Sequence, residues 1–258
     1  MSSAARLAIV RLFGSEIQQA ELTHLVRAPI DGERALQQHA AYRDLLVELG
    51  FTLTVLPALN AHPDAVFVED VAISTRAGWV LTRPGVSSRV GEALAMAPLL
   101  EHHGCIGRMA APATLEGGDV LAVEDTLWVG QSTRTNHAGL KALAHLLLEH
   151  GLRVKAVGVS GCLHLRTAAT YLGRSTLLVN RGWIEHERLS DFEHVCVDPR
   201  EAFGANGFCI GSTVVLSASF PRTAERVAAR GFEVRLVDVS EFEKAEGGPS
   251  CLSLRALD

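Results

Sequence analysis

A helix end, a glycine and a strand recur four times along the chain, and a repeat of this kind limits the fold more than any single motif does. The copies are Leu46-Val47-Glu48-Leu49-Gly50-Phe51-Thr52-Leu53-Thr54-Val55, Leu147-Leu148-Glu149-His150-Gly151-Leu152-Arg153-Val154 and Val227-Ala228-Ala229-Arg230-Gly231-Phe232-Glu233-Val234, with a weaker one at Leu100-Glu101-His102-His103-Gly104-Cys105-Ile106. Each glycine suits the left-handed position that closes a helix. Gly50, Gly104 and Gly151 lie 54 and 47 residues apart, so a unit of about fifty residues fits the 258-residue chain about five times.

Each unit also carries a hairpin signal, two short apolar runs around a polar or glycine turn. Val71–Thr75 pairs with Trp79–Thr82, Val120–Val123 with Leu127–Gly130, and Phe208–Ile210 with Val214–Leu216. Amphipathic helices lie between them: Leu140, Leu143, Ala144 and Leu147 fall at i, i+3, i+4 and i+7, as do Tyr42, Leu45, Leu46 and Leu49. The unit therefore reads strand, strand, helix, strand. A doubly wound sheet needs single strands alternating with helices, whereas hairpin-bearing units predict an α/β fold of another kind: a five-bladed α/β propeller of ββαβ units around a pseudo-fivefold axis. The expected organisation is one domain over 1–258, with residues 160–210 the least regular copy.

Charge and composition exclude several functions. Lys and Arg number 24 against 29 Asp and Glu, a net charge of −5 that offers no broad basic surface, so nucleic acid is not an expected partner. No apolar run approaches the roughly 18 residues needed to cross a bilayer, and Arg11 interrupts the start before a signal-peptide core develops. The five cysteines are odd in number, widely spaced and without a C-x-x-C pair, which predicts reduced thiols and a soluble, cytoplasmic protein.

Loops at strand ends can converge on the axis of a repeat fold. Three of them are polar: Pro63–Asp70, which ends in Glu69-Asp70; Leu115–Asp119, which contains Glu116-Gly117-Gly118-Asp119; and Glu246–Ser253, which contains Gly247-Gly248-Pro249-Ser250-Cys251. Two acids running straight into a β segment need a cationic partner, because an unpaired buried carboxylate is costly. Cys251 is read as the start of a strand after a rigid, exposed approach able to present a thiolate, with His164 as a base for it. Taken one at a time, each feature has a structural role: a partner for an arginine, an ordinary turn, a small buried hydrophobe, a hydrogen-bonded core histidine. Eleven histidines form no H-E-x-x-H or paired Cys/His spacing, and the chain carries no phosphate-binding glycine loop and no G-x-S-x-G elbow. The residues predict no metal site and no nucleotide cofactor held on a glycine loop.

Taken together, the loops resemble the dimethylarginine dimethylaminohydrolases of the guanidino-group-modifying enzymes. The resemblance rests on Phe67-Val68-Glu69-Asp70-Val71-Ala72, Leu81-Thr82-Arg83-Pro84-Gly85, Glu116-Gly117-Gly118-Asp119-Val120, Arg134-Thr135-Asn136, Leu163-His164-Leu165 and Gly247-Gly248-Pro249-Ser250-Cys251-Leu252-Ser253, in that family's order, from about residue 20 to the C-terminus. It implies a five-bladed propeller with Cys251 as nucleophile, His164 as general acid/base and Glu116 as the carboxylate that orients it, and no metal or organic cofactor. By the same resemblance Asp70 and Glu69 hold a guanidinium, and Asp64, Arg89, Arg134, Leu22 and Ala245 lie at the substrate's amino-acid end. The implied reaction takes Nω-methylated L-arginine, the small-molecule partner, to L-citrulline and methylamine or dimethylamine. An arginine deiminase shares the glycine-rich cysteine ending, and a non-catalytic propeller binding cationic amino acids would keep the acids without needing Cys251 or His164. No membrane partner is expected, and a homo-oligomer is left open.

Overall fold

The computed structural model describes residues 6–256. Five separate three-stranded sheets are formed, each with a central strand flanked by one antiparallel and one parallel neighbour. This is the propeller expected from the repeats.

In the first blade β1 (Arg6–Arg11) and β2 (Phe51–Leu56) run parallel across α1 (Gly32–Glu48). Asp31 caps the helix by accepting hydrogen bonds from the amides of Glu33 and Arg34, and the stripe of Tyr42, Leu45 and Leu46 is buried against the sheet. The second blade is β3 (Ala72–Thr75), β4 (Gly78–Leu81), α2 (Val90–His102) and β5 (Cys105–Arg108). The third is β6 (Val120–Val123), β7 (Thr126–Gln131), α3 (His137–Leu148) and β8 (Arg153–Gly158), with Asn136 as the helix cap. A short helical turn, α4 (Leu165–Ala168), leads into β9 (Ala169–Gly173), β10 (Thr176–Val179) and β11 (Glu193–Cys196). The fifth blade is β12 (Gly207–Ile210), β13 (Thr213–Ser217), α5 (Pro221–Ala228) and β14 (Glu233–Val237), followed by the single turn α6 (Ser240–Glu243).

The glycines that end the repeated helices adopt the left-handed conformation, with φ of 88° at Gly50, 86° at Gly104, 67° at Gly151 and 78° at Gly231. The irregular copy at 160–210 has a physical cause. Its covering helix is reduced to one 3-10 turn, His186–Leu189, so no amphipathic period is left to read. The ring is closed by β15 (Leu254–Arg255), which pairs antiparallel with β1 and makes the first blade from both ends of the described chain.

The first antiparallel strands of neighbouring blades meet at the axis: β9 packs against β6 and β12, and β3 against β15. The approaches to these inner strands therefore converge. Glu69 and Asp70 precede β3, Glu116 precedes β6, His164 precedes β9, Asn206 precedes β12 and Cys251 precedes β15. Every blade sends one chemically useful segment to the same region. Among the described residues no helix is long and apolar enough to cross a membrane, and all five cysteines are unpaired.

Candidate active site

Cys251 differs from its expected setting. It lies in a turn three residues ahead of the final strand and is 8% exposed, so it neither starts a strand nor stands open to solvent. The turn is held rigid by close packing: a Cβ on Gly248 would fall 2.4 Å from Asn206 Oδ1, and one on Gly247 would fall 2.2 Å from the Phe67 ring. Tyr42 ties α1 of the first blade to this turn, donating its hydroxyl to the Pro249 carbonyl at 2.7 Å. Asn206 Nδ2 approaches the Cys251 sulfur at 3.6 Å, and the Glu69 amide donates to the Cys251 carbonyl at 3.2 Å.

Glu69 and Asp70 lie on a 3-10 turn, Val68–Val71, rather than in the strand itself. Glu69 accepts a hydrogen bond of 2.6 Å from Ser250 and lies 3.7 Å from Arg166 and 3.8 Å from Arg255. Asp70 accepts from Arg89 at 2.6 Å and from the Gly118 amide at 3.1 Å, while its Oδ1 stands 3.7 Å from His164 Nδ1. Gly118 permits that approach, because a Cβ there would come within 2.8 Å of His164 Nδ1. The cationic partner required by the paired acids is thus present.

His164 Nε2 and Glu116 Oε2 are 2.7 Å apart, both buried. Burial alone would lower the His164 pKa, but the negative charges of Asp70, Glu116 and Asp119, with the Glu116 hydrogen bond, lift it to about 9. Burial works the other way on Glu116, and the bond to His164 together with the charges of His164, Arg89 and Arg134 brings it down to about 2. The pair is therefore imidazolium and carboxylate at neutral pH. Asp119, the second acid of the Glu116–Asp119 turn, fixes the His164 segment by accepting from the Leu165 amide at 3.0 Å and from Ser132 and Thr135.

Burial pushes the Cys251 thiol up to about 12, and the charges of Glu69 and Asp70 push in the same direction. Thiolate is the reactive form, so a raised pKa leaves little of it at neutral pH and the thiolate fraction should grow tenfold per pH unit through the alkaline range. Alkylation of Cys251 by iodoacetamide, followed by peptide mass spectrometry, should keep accelerating past pH 9. A rate that levels off at or below pH 8 would contradict this setting.

The residues expected at the amino-acid end divide. Arg89 is 2% exposed and spends its donors on Glu92, Asp70 and the carbonyls of Asp64 and Phe67. It therefore supports Asp70 from behind, and removing it would strand two buried carboxylates at a cost of about 3–5 kcal/mol. Arg134 is more available: its Nη1 is buried without a hydrogen-bond partner, 3.6 Å from Glu116, and its Nη2 donates to Thr23 at 3.3 Å. Asp64 is buried and accepts from the Glu21 amide at 3.1 Å. Leu22, half-buried, lies between the residues these two groups hold, and Ala245 is in the same apolar core as Cys251.

Sequence reasoning assigned no role to Glu92, Asn206, Asp119 or Arg166. Glu92 carries a signal, its i+3 spacing from Arg89 at a helix start; Asn206 carries none.

Asp70, Glu116 and His164 each offer a ligand atom within 4.8 Å of the others, a set able to receive a metal ion. Doing so would take Glu116 from His164 and Asp70 from Arg89, and would bring a cation close to two buried guanidinium groups. EDTA is therefore expected to leave turnover unchanged; activity lost to EDTA and restored by zinc would contradict this.

The sequence pattern of the family described as Arginine deiminase matches residues 56–201. The N(G),N(G)-dimethylarginine dimethylaminohydrolase of Streptomyces coelicolor is 39% identical over 258 residues, covering 97% of each chain. The chain belongs to the dimethylarginine dimethylaminohydrolase family. Two solved structures of that family superpose closely. The Pseudomonas aeruginosa enzyme, a cysteine-to-serine mutant complexed with citrulline, has a TM-score of 0.91 at 33% identity over 97% of this chain and 98% of its own. A histidine-to-glycine dimethylarginine dimethylaminohydrolase, described as an adduct with S-methyl-L-thiocitrulline, has a TM-score of 0.92 at 33% identity over 98% and 100%.

Proposed function

We propose that this dimethylarginine dimethylaminohydrolase converts Nω-methyl- and Nω,Nω-dimethyl-L-arginine to L-citrulline and methylamine or dimethylamine, using Cys251 as nucleophile. The observation that carries the reading is the run of contacts that joins Cys251 to Glu69, Asp70 to His164 and His164 to Glu116, bringing together segments from four blades.

A guanidinium carbon is a weak electrophile, so it must be held close to a thiolate and its cation kept planar. Asp70, and Glu69 behind the Ser250 hydroxyl, supply the negative field for that cation. The same field keeps Cys251 a thiol in the free protein. A guanidinium bound beside Asp70 offsets those charges, so substrate binding itself favours the thiolate, and the thiol proton, which the already protonated His164 cannot take, passes to solvent. Reactivity then appears when there is something to attack.

Sγ bonds to the guanidinium carbon, and the carbon–nitrogen bond to the methylated nitrogen breaks as His164, protonated below about pH 9, gives that nitrogen its proton. Neutral His164 then takes a proton from water, the oxygen attacks the thiouronium carbon, and the carbon–sulfur bond breaks to leave citrulline and the cysteine. Such proton transfers contribute about 10²–10⁴-fold in rate. Glu116 holds the imidazole in place throughout. Arg134, whose buried Nη1 makes no hydrogen bond, suits the α-carboxylate and Asp64 the α-amino group, with Leu22 and Ala245 around them and Arg89 supporting Asp64 and Asp70 from behind.

Incubation with Nω,Nω-dimethyl-L-arginine should release citrulline measurable by its ureido colour reaction. Tight binding without citrulline would instead favour a non-catalytic cation-binding propeller.

A further inference from the structure

The segment Glu21–Leu25 belongs to no helix or strand, yet it is tied down at three places. The Glu21 amide donates to Asp64 at 3.1 Å, and Thr23 Oγ1 accepts from Arg134 at 3.3 Å. The third tether is the strongest. One oxygen of Glu246, Oε1, accepts from three successive amides, those of Thr23 at 3.0 Å, His24 at 2.5 Å and Leu25 at 2.7 Å. A charged acceptor strengthens each of these bonds. Glu246 is itself held firmly, since its amide donates to Glu243 and that of Gly247 to Phe242, and it keeps a left-handed φ of 60° unusual for a residue with a side chain. It stands five residues ahead of Cys251 in the chain, and Leu25 and Glu246 border the cavity beside the Gly247–Pro249 turn.

We propose that Glu246 is a positioning residue, whose carboxylate holds the Glu21–Leu25 strap over the amino-acid end of the substrate site. This rests on the function proposed above. Asp64 and Arg134 are both assigned to the substrate's amino-acid end and both are bonded to the strap. When substrate arrives they must share or exchange partners. No part of the substrate is assigned to Glu246, whose other oxygen, Oε2, is buried without a hydrogen-bond partner, so it keeps the strap in register with Leu22 over the site while the other two tethers switch. Its loss should weaken substrate retention more than the chemical step.

The test compares Glu246→Ala and Glu246→Gln in the full chain by steady-state kinetics with Nω-methyl-L-arginine and by the rate of limited trypsin cleavage after Arg27, just beyond the strap. Glu246→Ala should raise KM about tenfold with kcat changed by less than about threefold, and should speed cleavage after Arg27. Glu246→Gln, whose amide oxygen still accepts from the three N–H groups, should recover most of both effects. Unchanged KM and cleavage in the alanine variant, or a fall in kcat at constant KM, would overturn the assignment. If the unmodified protein turns over no methylarginine, the proposed function fails, and the cleavage rates of the three proteins alone decide whether Glu246 holds the strap.

Discussion

Cys251→Ser should lower turnover of methylated arginine by about four orders of magnitude or more while leaving the fold and the thermal melt in place. The substitution is nearly isosteric, and the turn around it is fixed by Gly248 against Asn206 and by Tyr42 on the Pro249 carbonyl, neither of which uses the sulfur. What is lost is acidity. Bound substrate can bring a thiol of raised pKa within reach of ionisation, but a hydroxyl starts far higher. Intact-protein mass spectrometry of the acid-quenched reaction should show an adduct on the wild type, mapped to Cys251, and none on the serine variant. Full activity in the variant would remove the covalent mechanism.

His164→Gly should retain binding and lose about 10²–10⁴-fold in kcat, because both halves of the reaction pass a proton through this ring. The sign of its pH dependence follows from the raised pKa. Folded His164 is protonated below about pH 9, so its capacity to deliver a proton to the departing amine is present at neutral pH and is lost as pH rises through 9. The second step needs the neutral ring and is the one the variant cannot replace from solvent at comparable rate. Adduct should therefore accumulate on Cys251 in the variant and persist on a timescale of minutes, read by mass spectrometry at successive times. An unchanged kcat would return His164 to a purely structural role beside Glu116.

The repeat was legible because its most regular element, a glycine with positive φ at the end of an amphipathic helix, leaves a residue-type signature at Gly50, Gly104, Gly151 and Gly231. The fourth blade was not, since a 3-10 turn at His186–Leu189 has replaced the helix that would carry the period. Ring closure by Leu254–Arg255 involves two residues, too few for any periodicity. At the site, the acids and the glycine-rich turns stood out because polar residues flanking apolar strand starts are unusual. The exposure expected for Cys251 was wrong for a packing reason. Gly247 and Gly248 give the turn close contact with Phe67 and Asn206, which buries the thiol, instead of giving it freedom. Asn206 escaped notice because Ala-Asn-Gly reads as an ordinary turn, and only the ring places it opposite the cysteine sulfur.

Substrate choice is the claim on which the account turns. Asp70 and Glu69 attract a guanidinium whether or not one nitrogen is methylated, so charge alone does not separate arginine from its methylated forms. Shape must separate them, and a methyl group in an apolar pocket gives about 1–3 kcal/mol of discrimination. The most direct measurement follows amine release by proton NMR, with L-arginine, Nω-methyl-L-arginine and Nω,Nω-dimethyl-L-arginine each offered at equal concentration. The account predicts citrulline with methylamine or dimethylamine at a kcat/KM above that for L-arginine. Faster formation of citrulline and ammonia from L-arginine than of amine from either methylated form would contradict it and make the protein an arginine deiminase.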